Sequence, residues 1–201
     1  MSAVLGPIHY WLYHKIQLQE SLIRRVVETA EEKGWPELEE NGLREASVSN
    51  EFRPLEELID VGNIHGWLQD RIHDAEGRYA RLVTALTADH PERLTVLGEA
   101  AFAFGAENAV AGDTTVEEAY KALDDSLLNG MPCQRVNIIT DQAEGRIAWT
   151  QTQDIHREYW EAAGGDPDMY YALREKLIQG MLSQSGLTFE TLSPDSYAIH
   201  S

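Results

Sequence analysis

The sequence predicts a mainly α fold, α+β overall: a helical bundle built on a duplicated long helix, with a small β-hairpin subdomain near the C-terminus. Three observations carry this. Over much of the first 130 positions apolar residues recur at three- and four-residue steps, the period of a helix with one buried face. One such stretch returns 56 residues later. Residues 133–152, in contrast, are rich in β-branched side chains on either side of a turn, the pattern of two paired strands.

From Pro7 to about Glu32, Ile8, Leu12, Ile16, Ile23, Val26 and Val27 recur at helical spacing with no glycine to interrupt them. Pro7 stands in the first turn, where a missing amide hydrogen does no harm, and Gly34 and Pro36 stop the helix. A short helix is expected over 36–46, then a polar break at 47–50 and a segment 54–59 leading into Gly62. The second long helix spans about 63–86 and ends before Pro91. An Ala- and Phe-rich helix over about 92–110 has enough apolar residues to be covered on more than one side. Thr115, followed three residues later by Glu118, reads as a capping box opening a helix to about Leu128, closed by Gly130-Met131-Pro132. Strands are expected at 133–140 and 146–152 with Gly145 in the turn. Helices over 154–163 and 167–184 follow, with Asp154 and Asp166 as N-caps and Pro167 in a first turn. Gly186 ends the last helix, and 187–192 can add a third strand. No low-complexity linker separates the duplicated region, 1–90, from the α+β region, 91–201, so one compact unit is expected.

The repeat begins at Gly6 and again at Gly62, and nine of 22 aligned positions are identical, among them His9 and His65, Trp11 and Trp67, Glu20 and Glu76. Such self-similarity points to duplication. The His and Glu of each copy are eleven positions apart, about 20° around a helix and about 16 Å along it. Each pair therefore lies on or beside the apolar stripe, where an unpaired charge costs several kcal/mol. Antiparallel packing of the two helices would bring His9 to Glu76 and His65 to Glu20. Parallel packing, with the acidic segment as the return connection, would gather the two His at one end and the two Glu at the other. Neither arrangement alone assembles four ligands. A divalent metal site on His9, His65, Glu20 and Glu76 would need His73, or else His14, Asp154 or His156. The chain lacks His-Glu-x-x-His and Glu-x-x-His, and buried His–Glu pairs more often fix helix register.

Asp and Glu outnumber Lys and Arg by 34 to 16, for a net charge of −18, so nucleic acid and anionic membranes are repelled. Eleven acids against three bases fall between Glu28 and Asp60, which reads as a solvated helical connection. No stretch approaches the roughly 18 to 20 apolar residues that cross a bilayer, and the first residues do not resemble a secretory signal. A single cysteine, Cys133, excludes an internal disulfide. A cytoplasmic protein is expected.

Cys133 and His156 are the candidate catalytic residues. Cys133 opens the first strand and could act as a nucleophile, although no histidine neighbours it in sequence and lone cysteines are usually small buried hydrophobes. His156 follows the second strand, where turns into helices often present active groups; it reads more readily, with Glu158, as a first-turn surface residue. Trp11, Trp67 and Tyr79 could line an aromatic ligand pocket, but at helical spacing such residues are more often core. Phosphate-binding glycine loops, serine elbows and zinc cysteine pairs are absent from the sequence.

The C-terminal hundred residues resemble the aminothiazoline-carboxylate hydrolase-like family in layout. The parallel lies in Leu97-Gly98 and Phe104-Gly105, in Val136-Asn137-Ile138 with Ile147-Ala148-Trp149, in the helix ending at Gly164, and in Leu192-Ser193-Pro194-Asp195. The resemblance implies an α+β fold and hydrolysis of a small heterocyclic acid. The family's two cysteines would fall near Gln153 and Tyr197, so a thiol mechanism does not transfer. The leading expectation is a protein that binds a metal ion or small ligand in an interior site lined by His9, His65, Glu20 and Glu76. There a histidine would be base or ligand and a glutamate proton acceptor. The alternatives are a structural or self-associating protein, a homo-oligomer whose His and Glu only lock helices, and a small-molecule hydrolase built on the C-terminal half.

Overall fold

A computed structural model describes residues 5–201. The first long helix, α1, runs Pro7–Glu32 and buries Leu12, Ile16, Ile23, Val26, Val27 and Ala30. The acidic connection folds as two 3-10 turns, Pro36–Leu38 and Glu40–Gly42, then α2 (Leu43–Ser47) and α3 (Leu55–Leu58). The second copy is α4, Ile64–Thr87, whose Asn63 side chain accepts the Gly66 N–H at 3.2 Å.

The two long helices are parallel. His9 meets His65, Tyr13 meets Trp67 and Glu20 meets Arg78, so partner numbers differ by a nearly constant amount, whereas antiparallel neighbours would have a constant sum. A parallel pair needs a connection that travels the full helix length back, which residues 33–63 provide.

Next come α5 (Arg93–Glu107) and α6 (Val116–Ser126). Thr115 opens α6 with both halves of the capping box: its hydroxyl accepts the Glu118 N–H at 3.2 Å, and Glu118 accepts the Thr115 N–H at 3.0 Å. Thr115→Ala should lower stability by about 1 kcal/mol in urea unfolding; an unchanged midpoint would show that the cap is idle.

Residues 133–136, expected to begin the first strand, instead form a 3-10 turn, Pro132–Gln134, and a left-handed Arg135 (φ 47°). Pro132 has no N–H for a ladder and favours such a turn start. β1 runs Asn137–Ala143 and β2 Arg146–Gln151, joined through Gly145 at φ 72°. After α7 (Arg157–Ala162) and α8 (Pro167–Leu182), the chain adds β3 (Thr188–Ser193) and a strand the sequence did not announce, β4 (Ser196–His200). The sheet is antiparallel with order β1-β2-β4-β3, so the last strand lies at its centre against β2.

One large core joins Val27, Val83, Leu97, Leu123, Trp149, Ile178 and Ile199, drawn from the helices and the sheet alike. A smaller one holds the first halves of the long helices, with Leu12, Ile16, Leu68 and Ile72 around Leu55 and Leu128. The cores thus divide along the length of α1 and α4, not at residue 90. Among the described residues no helix is long and apolar enough to cross a membrane.

Candidate functional site

Parallel packing separates the ionisable residues of the repeat. The His9 and His65 rings lie 5.8 Å apart, centroid to centroid, but not on the buried stripe: His65 is exposed, and His9 Nδ1 accepts the Gly6 N–H at 2.9 Å. Each occupies the first turn of its helix, at the margin of the smaller core. His14 is also exposed.

Glu20 is buried, but its partner is Arg78 and not a histidine. Arg78 Nη1 donates to Glu20 Oε2 at 2.9 Å and Nη2 to Oε1, while Nη1 also reaches the Ser47 carbonyl at 2.6 Å and Nε reaches Asp74 at 3.0 Å. Burial works against the guanidinium charge, and the Glu20 and Asp74 interactions outweigh it, raising its pKa. Arg78 stands where the first copy has Leu22, so a comparison of identities passes over it.

Glu76 meets His156, eighty residues away, with Oε2 3.2 Å from Nδ1. The two are 2% and 0% exposed, so His156 is not the surface residue its place in a first turn suggested. It occupies the N-cap position of α7. Asp154, expected there, sits two residues earlier and accepts the N–H groups of His156 (3.2 Å) and Arg157 (3.1 Å) and the Tyr171 hydroxyl (2.7 Å). Burial raises the Asp154 pKa, but these bonds and the Arg157 charge lower it more, leaving it below the ordinary value. The His156 ring stacks on Tyr170 with centroids 3.8 Å apart.

His156 and Glu76 form part of the wall of a cavity of about 280 Å³, bounded also by His73 of α4, Gln134, Gln153 and Tyr159. A carboxylate only accepts, so Nδ1 carries the hydrogen toward Glu76, and in the neutral imidazole Nε2 is then an acceptor. Nε2 is buried and has no partner in the protein. Burial, and then the Glu76 charge, raise the pKa of Tyr79, Tyr159 and Tyr170 and keep their phenols neutral. The cavity wall therefore combines one carboxylate-backed imidazole with the Gln69, Gln134 and Gln153 amides, the neutral Tyr159 phenol and two further carboxylates, Asp154 and Glu158.

Of the residues considered for a metal, the structure gathers His73, Glu76, Asp154 and His156 around one cavity, and leaves His9, His14, His65 and Glu20 elsewhere. No group of three or more His, Cys, Asp and Glu side chains among the described residues is arranged to hold a metal ion. Cys133 is exposed on the Pro132–Gln134 turn and does not line this cavity. Tyr170 gave no signal in the sequence beyond a tyrosine pair within a helix. The molecule is a mainly α protein with a small antiparallel sheet and a polar cavity where α4 meets α7. Compared with protein-family models, curated proteins and solved structures, the chain matches none.

Proposed function

We propose that the protein binds a small polar molecule in the cavity between α4, the Gly130–Gln134 turn and α7, with His156 as the group that accepts a hydrogen bond or proton from it. The observation that carries this reading is the buried His156 imidazole, held through Nδ1 by Glu76 while Nε2 lacks a partner. An unpaired buried nitrogen costs about 1 to 3 kcal/mol, and a ligand hydrogen at Nε2 removes that cost. A carboxylate behind an imidazole also supports general acid–base chemistry, because it stabilises the imidazolium formed on proton uptake. One further observation favours hydrolysis within the same cavity. Gln153, near which the resemblance would place that family's cysteine, is part of its wall. In this chain His156 would activate a water in place of a thiol.

The test is a thermal-shift screen of small polar metabolites on wild type and His156→Asn. The Asn amide keeps a donor near the Nδ1 position and deletes Nε2. A ligand at a hundred times its Kd adds about 2.7 kcal/mol, which for a chain of this size raises Tm by about 5 to 10 °C. Such compounds should stabilise wild type and not His156→Asn, whose own stability should fall by only about 1 to 2 kcal/mol. A screen without hits, or hits indifferent to the substitution, would leave Glu76–His156 as a structural pair.

A further inference from the structure

Four Lys and Arg side chains are buried among the described residues: Lys15, Arg78, Arg93 and Arg174. Arg78 is paired with Glu20, and Arg93 with Glu37 at 2.8 Å. Lys15 and Arg174, 2% and 6% exposed, have no carboxylate within 4 Å among the described residues. The Lys15 ammonium lies 4.0 Å from the centre of the Trp11 ring, and the Arg174 guanidinium 5.3 Å from that of Tyr197, with Nε and Nη1 unpartnered. Asn129 is buried with neither side-chain atom satisfied, and the buried Gln19 leaves its Nε2 without an acceptor. Gln19 and Arg174 line a separate pocket with Tyr170 and Leu177, whereas Lys15 and Asn129 share one. Water can satisfy donors, but it does not neutralise a buried charge.

Lys15, Asn129, Trp11 and Tyr120 line a cavity of about 450 Å³ across the Gly130–Met131 turn from the His156 cavity, with Arg135 on its wall. Asn137, whose Oδ1 is unpartnered, and Asp124 complete its polar lining. Asp125 is already engaged by the Trp11 indole N–H at 2.9 Å and by Lys121 at 2.5 Å. We propose that this cavity is a second binding site, for a small molecule bearing a carboxylate or phosphate whose oxygens pair with the Lys15 ammonium and the Asn129 amide. The rest of the ligand lies against the Trp11 and Tyr120 rings. Burial lowers the Lys15 pKa to about 8, Asp124 and Asp125 hold it up, and Arg174 adds a smaller downward push; a bound anion offsets the first effect and the last.

The experiment uses the full chain at fixed ionic strength, following indole fluorescence with benzoate, phenyl phosphate and uncharged benzamide. One of the two anions should bind saturably, and which of them binds tighter separates a carboxylate ligand from a phosphate one; benzamide should not bind. Lys15→Met should weaken binding by at least about tenfold, the size expected for losing a charged hydrogen bond. Arg71→Met is the control, since Arg71 occupies the equivalent place in the second copy, exposed and 5.7 Å from the Trp67 ring. It should bind as wild type does, and so should His156→Asn, which keeps this site distinct from the other cavity. Asn129→Asp, which puts a carboxylate in the anion's seat, should abolish binding and serves should Lys15→Met not fold. The proposal is overturned if neither anion binds with a Kd below about 10 mM, or if Lys15→Met and Asn129→Asp bind as tightly as wild type.

Discussion

Arg78→Met is expected to destabilise the protein by about 3 to 5 kcal/mol, the range for breaking a buried ion pair from one side. The loss does not measure the attraction between Arg78 and Glu20. It comes mainly from Glu20, 8% exposed and left facing the Ser47 carbonyl, whose oxygen also loses its donor. Asp74 is half exposed and returns to water at little cost. Removing both charges should therefore be far milder. Glu20→Met combined with Arg78→Met should lie within about 1 to 2 kcal/mol of wild type, so that a double-mutant cycle gives a coupling of 2 kcal/mol or more. Added salt should leave the cycle nearly unchanged, because a buried pair is screened much less than an exposed one such as Lys121–Asp125. Urea unfolding of the four proteins decides the matter. A single Arg78→Met loss under 1 kcal/mol would mean that the helices are registered by their apolar contacts alone.

The same pair shows where the sequence is readable. The limits of the longer helices were legible because proline, glycine and caps act on their own neighbours: Pro7 opens α1, and Thr115 with Glu118 opens α6, whereas the helix expected over 36–46 is two 3-10 turns and the short α2. Which residues Glu20 and Glu76 pair with was not, because the partners lie 58 and 80 positions away and are set by the parallel packing of α1 and α4. β4 escaped notice since Ser196–His200 has only three apolar residues between polar ends; it is a strand because β2 and β3 flank it. Lys15 was hidden differently. It stands about 60° around the helix from Leu12, at the edge of the stripe, where a lysine ordinarily reaches out to water. Here α6 lies alongside, tied to α1 through Trp11 and Asp125, and the lysine is enclosed. The candidate site was thus half legible. Glu76, His73 and His156 can be picked out of the sequence singly, but the cavity that unites them exists only once α7 is laid against α4.

Gly105→Ala should be at least as damaging, at about 3 to 5 kcal/mol. Helices α5 and α8 touch backbone to backbone: a Cβ on Gly105 would overlap the Leu177 carbonyl oxygen and lie 2.9 Å from the Met181 nitrogen. A Cβ on Gly180 would do the same to the Phe102 carbonyl oxygen and lie 2.9 Å from the Ala106 nitrogen. Alanine favours a helix over glycine by about 1 kcal/mol, so the sign depends on whether the neighbour can yield. A backbone carbonyl inside a helix cannot yield alone. The two helices must separate, loosening the packing of Leu97, Ala101, Leu173 and Leu177 with them. Gly98 on the same helix supplies the contrast, because its added Cβ would meet only the flexible Lys176 side chain, 3.3 Å away. For a chain of this length each kcal/mol moves Tm by about 2 to 4 °C. Gly105→Ala and Gly180→Ala should each lose roughly 10 °C, and Gly98→Ala should stay within about 3 °C of wild type. The double variant Gly105→Ala/Gly180→Ala should lose less than the sum, since a separation that admits one methyl group makes room for the other. Strict additivity, or a Gly105→Ala protein that melts with the wild type, would show that the two backbones are not in contact.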